Sequence, residues 1–395
     1  MIMKKIFKFA LCAACFTAMV ACNNNGGSSE VSSDKEAALK RAMTPYVENT
    51  VIATYRSMAD EGLVLLEKVK EINTAVNDGK DYTQTMKEAG EAWRAMRKYW
   101  EQSEAFLYGP AAAHNIDPHI DTWPLDFTAM SNLLKNLDQM KDIEADGVAY
   151  VKNNLGPSLQ GFHAAEYMLF ESVEQGGRAV GTGKPHATNL SKAESAYLLG
   201  VVTDLVQQAI LIEDSWAGEV SAAKEAIITE DDESMSYGEN YGEYMVNAGQ
   251  AGSLYKSYQH ATEEIIDGCV NIADEVAGLK MGNPYLSSTD EERDYIESPY
   301  SCTSTRDFAD NIRSIQHSYE GSQAGDFSIS NYIYSQDPKV DAEVRKAIEE
   351  AIAAIEAIQN FESTAQNNPQ VKAAMEAVEK VGGLLAKDVK AIIVK

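Results

Sequence analysis

The sequence contains little cysteine, with five residues of this type in a chain of 395. Cys12 and Cys15 lie in an apolar N-terminal segment, Cys22 follows that segment, and only Cys269 and Cys302 remain beyond it. In an oxidising compartment these two thiols allow one disulfide but do not require it. They also fail to provide the set of soft sulfur ligands that copper(I) prefers.

The sequence also lacks runs of alternating apolar and polar residues, and it has no short-period repeat. Instead, apolar residues recur at steps of three and four, as they do from Leu198 to Trp216 and from Leu254 to Leu279. This spacing predicts an all-α fold. Because 395 residues are many for a single core, we expect two consecutive antiparallel helical bundles packed against each other, over residues 35–185 and 186–395. We expect a loop from Gly176 to Pro185 between them.

Positive charge is scarce, since 34 lysines and arginines face 60 acids and the formal net charge is −26. So acidic a surface argues against nucleic acid and against anionic lipid head groups as partners. It suits cations as partners, although acidity also serves solubility.

The N-terminus has the order of a secretory signal. Lys4, Lys5 and Lys8 precede an apolar run from Phe9 to Val20, which is too short for an ordinary membrane span. The sequence MVAC at residues 19–22 resembles a bacterial lipobox, in which the cysteine receives lipid. We therefore expect a signal peptide at residues 1–21, a lipid anchor at Cys22 and a flexible tether through residue 34. The expected location is the bacterial cell envelope, at the outer membrane, facing the periplasm or the outside.

Residues 161–170 read GFHAAEYMLF and carry the most informative pattern of the chain. On a helix, His163 and Glu166 lie side by side within an otherwise apolar face formed by Leu159, Phe162, Leu169 and Phe170. Such a face is expected to be buried, where an unpaired charge costs several kcal/mol, roughly. A partner must therefore satisfy the pair. The two side chains could pair with each other, or their partner could be a third polar group, a water or a metal ion.

Two further segments carry polar residues in unusual settings. In the helix predicted over residues 81–107, Trp93 and Trp100 share a stripe that Glu104 extends, with Arg97 beside it. The following segment, residues 108–127, contains several prolines and is dense in Asp, His and Trp. Loops of this composition are more often functional than loops of Ser and Gly. Within it, Asp126 has the simpler alternative of capping the next helix.

Three blocks of the sequence resemble the imelysin family of bacterial envelope proteins. The central block matches that family's Gly-x-His-x-x-Glu motif at Gly161, His163 and Glu166. The others run from Trp93 to Pro110, followed by Asp117 and Trp123-Pro124, and from Ser301 to Gly321. The resemblance implies two related helical bundles with a site between them. It also implies a link to iron acquisition, or to binding of a metal ion or small ligand, and the family is also classed among metallopeptidases.

The first functional hypothesis is therefore binding of a metal ion, iron or zinc, or of a small metal-bearing ligand in iron uptake, alongside other envelope proteins of that process. His163 and Glu166 are the primary ligands in this hypothesis. The supporting candidates are polar, aromatic or glycine residues of the same three blocks: Arg97, Trp100, Glu104, Asp117, Asp121, Trp123, Asp126, Gly161, Ser301, Asp307 and Asn311.

Two alternatives stay open. A metallopeptidase would use His163 and Glu166, but the familiar zinc peptidase helix has two histidines four residues apart with a Glu beside the first. Here Ala164 follows His163, and no second histidine occupies the next turns. Any further ligands and the base would come from distant segments. In the other alternative, the pair is hydrogen-bonded to Arg97 or Asp307 as a structural network, and the protein is a non-catalytic interaction partner.

Overall fold

The computed structural model describes residues 33–175, 178–186, 190–229, 236–289, 292 and 295–395. The predicted signal peptide, Cys22 and nearly all of the predicted tether lie outside the described residues. A helix begins at Ser33, so the last two residues assigned to the tether are helical instead.

The described chain is almost entirely helical, which confirms the predicted all-α class. Its α-helices are Ser33–Pro45, Ala53–Asp78, Thr83–Glu101, Pro110–Ala113, Ile116–Ile120, Phe127–Lys135, Leu137–Ala145, Gly147–Asn154, Gly161–Leu169, Lys192–Ala217, Ala222–Ile228, Tyr241–Val246, Tyr258–Glu275, Gly282–Leu286, Ser304–Glu320, Ile329–Gln336, Pro338–Glu356, Phe361–Thr364, Pro369–Leu384 and Lys390–Val394. Three π-helical segments continue longer helices: Tyr46–Ile52, Val276–Lys280 and Leu385–Val389. Glu104–Phe106 and Pro157–Leu159 are short 3-10 turns.

The predicted loop from Gly176 to Pro185 is wrong over residues 178–185, because they form one strand of an antiparallel hairpin; Gly176 and Gly177 lie outside the described residues. Its strands are Phe170–Gln175 and Arg178–Pro185, with Val173 opposite Val180. Phe170 consequently belongs to a strand, and the helix of the central motif ends at Leu169. Tertiary contacts hold the hairpin: the backbone N–H of Gly183 donates to the Tyr300 carbonyl at 3.1 Å. Glycine-rich local sequence gives no sign of such a partner.

The long helices pack in two groups that meet at the middle of the molecule. In the first, Ala53–Asp78 lies against Thr83–Glu101 and Lys192–Ala217. In the second, Ser304–Glu320 and Pro369–Leu384 each contact both Tyr258–Glu275 and Pro338–Glu356. Thr83–Glu101 contacts Ser304–Glu320, and the turn Glu104–Phe106 contacts Tyr258–Glu275. The side chains at this junction form the candidate site.

Residues Ser33–Lys395 form one compact unit by their contacts. The division into residues 35–185 and 186–395 stays a prediction, and Lys192–Ala217 packs across it onto the first group of helices. This helix is long and apolar enough to span a membrane, but 83% of its most apolar window is buried in the protein. Its composition is therefore that of a core helix. Cys269 is buried and Cys302 is exposed, and both are free thiols.

Candidate functional site

The helix that carries the central motif can approach the preceding segment only because it begins with glycine. Gly161 has a φ of +71°, and a Cβ atom there would lie 2.1 Å from the carbonyl oxygen of Ile120. Only a residue without a side chain tolerates this backbone conformation and this close contact. The contact brings the end of helix Ile116–Ile120, and thus Asp121, beside His163.

His163 lies between two carboxylates. Its Nε2 is 3.1 Å from Oδ1 of Asp121, and its Nδ1 is 3.6 Å from Oε2 of Glu166. The imidazole is only 2% exposed and Glu166 is fully buried. Neither His163 Nε2 nor Glu166 Oε2 makes a hydrogen bond of normal geometry within the described part of the chain. The contacts of His163 with Asp121 and Glu166 are therefore ion pairs.

Glu166 is held by a loop that is distant in sequence. Its Oε1 accepts hydrogen bonds from the backbone N–H groups of Tyr300, at 3.1 Å, and Ser301, at 2.7 Å, and from the Ser301 hydroxyl at 2.7 Å. The loop is held in turn by Arg94, whose Nη2 donates to the carbonyls of Gly183 and Ser301. The hairpin therefore helps to fix Glu166.

Arg97 is the central cation of the site and is 1% exposed. Its guanidinium donates to Asp121, and to Oε1 of Glu297 at 2.7 Å. It also forms an ion pair with Glu101, 2.5 Å away. Asp121 receives a further hydrogen bond from Trp100 Nε1, at 2.6 Å from its Oδ2. Arg97 and Trp100, both from the block Trp93 to Pro110, thus hold the Asp121 carboxylate that faces His163.

Lys280 is the second buried cation, at the end of the π-helical segment Val276–Lys280. Its Nζ lies 3.4 Å from Glu297, 3.5 Å from Glu104 and 3.7 Å from Glu101. Asn311 completes this side by donating to Oε2 of Glu101 at 2.6 Å. The two cations share two of the carboxylates, Glu101 and Glu297.

The site contains more buried acids than cations. Arg97 and Lys280 are its permanent cations, and the acids around them are Glu101, Glu104, Asp121, Glu166, Glu297 and Asp307. We name this set, with His163, the Arg97 network. An excess of buried acids is costly unless the acids hold protons or a further cation.

The pKa values within this network follow from burial and charge. Burial raises the pKa of Glu297 to about 7, and it raises the pKa values of Glu104 and Asp307 well above their usual range. Burial opposes ionisation of Asp121 as well, but the neighbouring Arg97 and His163 hold its pKa below its ordinary value. Burial disfavours protonation of His163, yet Asp121 and Glu166 raise its pKa to about 9.

Two groups of donor atoms lie close enough together that they could hold a metal ion. One ligand atom each from Asp121, His163 and Glu297 lie within 4.8 Å of one another, and so do oxygens of Glu101, Glu104 and Asp121. Glu297 Oε2 is buried and has no hydrogen-bond partner among the described residues, like His163 Nε2. One imidazole and two carboxylates therefore fit a metal ion such as iron or zinc. Arg97 restricts this fit, because a metal ion must share Asp121 and Glu297 with its guanidinium or displace it.

The sequence profile of the family described as Peptidase_M75, imelysin, matches residues 51–387. This chain belongs to the imelysin family. Iron-regulated protein A of Synechococcus elongatus is 25% identical over 337 residues, which cover 84% of this chain and 79% of the relative.

Two crystal structures of imelysin-like proteins share the fold. One is a protein described as an iron-regulated protein A precursor from Parabacteroides distasonis, with a TM-score of 0.73, 23% identity, and coverage of 93% of this chain and 97% of that one. The other is an imelysin-like protein from Psychrobacter arcticum, with a TM-score of 0.63, 12% identity, and coverage of 91% and 96%. At these identities the likeness concerns the fold alone.

Most site residues predicted from the sequence of this imelysin-family chain lie together in the structure. His163, Glu166, Arg97, Trp100, Glu104, Asp121 and Asn311 are described above. Asp307 accepts from the hydroxyls of Ser298, at 2.5 Å, and Thr303, at 3.3 Å. Trp123 lies near Lys280, whose Nζ is 6.0 Å from the centre of its ring. Asp117 lies at the edge, where burial and the charge of Asp121 raise its pKa to about 7.

Asp126 lies outside the site. It is exposed, and its side chain accepts a hydrogen bond from the Ala129 backbone at the start of helix Phe127–Lys135. This is the capping position that the sequence already offered as an alternative.

Three site residues were missed by the sequence analysis of this imelysin-family chain. Glu101 lies one residue after Trp100 and four after Arg97, so its helical spacing offered a usable signal. Glu297 was one of several acids in an irregular segment, with nothing local to single it out. Lys280 ends an amphipathic helix, where a lysine ordinarily points to water.

Proposed function

We propose that this protein binds a metal ion, with iron the first candidate, through Asp121, His163 and Glu297, and that it does so in iron uptake at the cell envelope. The observation that carries the proposal is the convergence of these three donors within 4.8 Å. Glu297 Oε2 is buried without a hydrogen-bond partner among the described residues, and His163 Nε2 faces the Asp121 carboxylate. Glu166 orients the imidazole from its other nitrogen, as an outer ligand does in metal sites.

The chemistry of the donors and the names of relatives support iron. Carboxylate and imidazole ligands suit iron and zinc and do not favour copper(I). The relatives from Synechococcus elongatus and Parabacteroides distasonis are named iron-regulated protein A. A site whose acids outnumber its cations favours a cationic ligand over an anionic one.

The envelope location is supported by the N-terminal sequence. Residues 1–21 have the order of a signal peptide, and Cys22 follows at the position that receives lipid in bacterial lipoproteins. Incorporation of a labelled fatty acid into the protein, lost in Cys22→Ala, tests the anchor. Labelling that persists in the variant would reject it.

Elemental analysis and metal titration test the site. The protein is purified without chelator or affinity metal, and we expect one iron or zinc ion per chain. His163→Ala should weaken binding by about 100-fold or more, since loss of an outer partner alone costs about 10–100-fold. Glu213→Gln, in a buried ion pair elsewhere, is the matched control and should bind normally. Full metal content in His163→Ala would reject the site.

A peptidase is the second candidate, because the family profile carries that description. Its general base would come from a distant segment, because Oε1 of Glu166 accepts three hydrogen bonds and the side chain is fully buried. Such a carboxylate is poorly placed to activate a water molecule on a peptide. Chelator-sensitive cleavage of a defined peptide, lost in Glu166→Ala, would establish the peptidase.

A structural network is the third candidate, since Arg97 already pairs with Asp121 and Glu297. In that case His163→Gln would lower the free energy of unfolding while every metal tested bound the variant and the wild type equally weakly. The titration above therefore separates the binding protein from the structural network.

A further inference from the structure

A cleft of about 600 Å³ lies beside the Arg97 network. The helix Tyr258–Glu275 forms one wall, and the segment between Glu104 and Asp117 forms the other. Its lining includes six carboxylates: Glu104, Asp117, Glu263, Glu264, Asp267 and Glu275. Lys390 pairs with Asp267 at the margin, which leaves the lining strongly acidic.

Glu104 belongs both to this cleft and to the buried network. Its side chain is only 6% exposed, yet it lines the cleft. One of its oxygens lies within 4.8 Å of oxygens of Glu101 and Asp121. The acidic surface of the cleft is therefore continuous with the proposed metal donors.

Lys280 stands between Glu104 and the unpartnered carboxylate behind it. Its Nζ lies 3.5 Å from Glu104 and 3.4 Å from Oε1 of Glu297. The other oxygen of Glu297 is buried without a hydrogen-bond partner among the described residues. This oxygen is a buried acceptor at the inner end of the same series of carboxylates.

The cleft is formed by backbone packing. A Cβ atom at Gly268 would lie 2.1 Å from the carbonyl oxygen of Ala105, so the helix Tyr258–Glu275 lies directly on the turn that carries Glu104. Its volume falls within the range of about 300–1,000 Å³ for small-molecule sites, which is far more than a bare ion occupies. The size suits a cation that retains its shell of water or other small ligands.

We propose that this cleft binds hydrated, multiply charged metal cations and passes them through Glu104 to the buried donors. The inference rests on the proposed metal-binding function and adds the route and the form in which the metal arrives. A concave surface of one charge concentrates counter-ions and raises their association rate by about 10–10³-fold. Lys280 is the internal cation that an incoming ion replaces at Glu104.

Stopped-flow measurement of zinc association tests the route. The double variant Glu263→Gln, Glu275→Gln removes two carboxylates of the cleft and none of the proposed ligands. We expect association to slow by about tenfold and to depend less on salt, with unchanged stoichiometry and dissociation rate. Glu349→Gln, Glu379→Gln removes the same charge from an exposed surface elsewhere and should associate like the wild type. Equal rates in both double variants would overturn the route.

Hexaamminecobalt(III), which keeps its six ligands, separates this inference from the function on which it rests. We expect it to bind the wild type and His163→Ala equally, and Glu263→Gln, Glu275→Gln more weakly. If zinc fails to bind the inner site while this probe binds in the cleft, the proposed function fails and the cation site stands. If zinc binds normally but the probe does not bind, the inference fails and the function stands. Spermidine that binds more tightly than the probe would assign the cleft to organic cations and overturn metal delivery.

Discussion

Lys224 and Arg97 are buried cations in two separate charge networks, and the surroundings of the two differ. Lys224 Nζ lies 2.6 Å from Glu213 and 2.7 Å from Asp60, and the other oxygen of Glu213 is 3.2 Å from Arg56. Two cations thus face two acids. Asp60 and Arg56 are more than half exposed, so water solvates the outer charges.

The Arg97 network is buried instead of solvated, and burial raises the pKa values of its acids Glu104 and Asp307. It has more acids than permanent cations, and three of its buried polar atoms lack a hydrogen-bond partner among the described residues: Arg97 Nε, Glu166 Oε2 and Glu297 Oε2. A network that serves only stability is expected to satisfy its own members. The comparison assigns a stabilising role to the Lys224 network and supports the proposal that the Arg97 network binds a cation.

The largest effect is expected when one buried cation is removed from each network. Lys224→Met and Lys280→Met each leave carboxylates without a counter-charge, which typically costs about 3–5 kcal/mol of unfolding free energy. Urea unfolding with and without added zinc measures the difference. We expect zinc to restore stability to Lys280→Met and to leave Lys224→Met unchanged. Equal behaviour of the two variants in zinc would remove the distinction between the networks.

The next effect concerns the backbone contact that builds the Arg97 network. Gly161→Ala forces a side chain into a left-handed conformation against the Ile120 carbonyl, at a cost of about 2–5 kcal/mol from strain and overpacking. Gly156→Ala is the control, because a Cβ atom there meets nothing within 4 Å. Thermal unfolding of both variants checks the prediction, and equal melting temperatures would contradict it.

A pH effect is expected from His163 in the metal-free protein. Its folded pKa of about 9 exceeds the ordinary value of 6.5, so its stabilisation is complete below pH 6.5 and is lost as the pH rises to about 9. The full difference amounts to about 3 kcal/mol. Urea unfolding at pH 6 and pH 9.5 measures it. His163→Gln should lose this dependence and the exposed His260→Gln should keep it; a wild-type slope in His163→Gln would refute the assignment.

The smallest effect is expected outside both networks. Asp126→Ala removes a helix cap and should cost about 1 kcal/mol of unfolding free energy. Zinc affinity and metal content should not change, because Asp126 is exposed and lies away from the site. A loss of zinc binding larger than that of His163→Ala would place Asp126 in the site after all.

Local sequence predicted the parts of this protein that depend on near neighbours in the chain. The 3.6-residue period gave the helices and the all-α class, and Asp126 caps the helix Phe127–Lys135 as its position allowed. His163 and Glu166 lie next to each other because they are three residues apart on one helix. The hairpin at Phe170–Pro185 was missed because contacts with the loop at Tyr300 hold it.

The sequence by itself determined the fold class, the family and the buried pair at the centre of the site. Only the tertiary structure decided which charges surround that pair. Arg97 meets Glu297 across 200 residues of sequence, and Glu166 meets Ser301 across 135. Contacts between such distant residues depend on how whole helices pack, which no local period encodes. The excess of acids over cations around Arg97 is therefore a property of the folded protein alone.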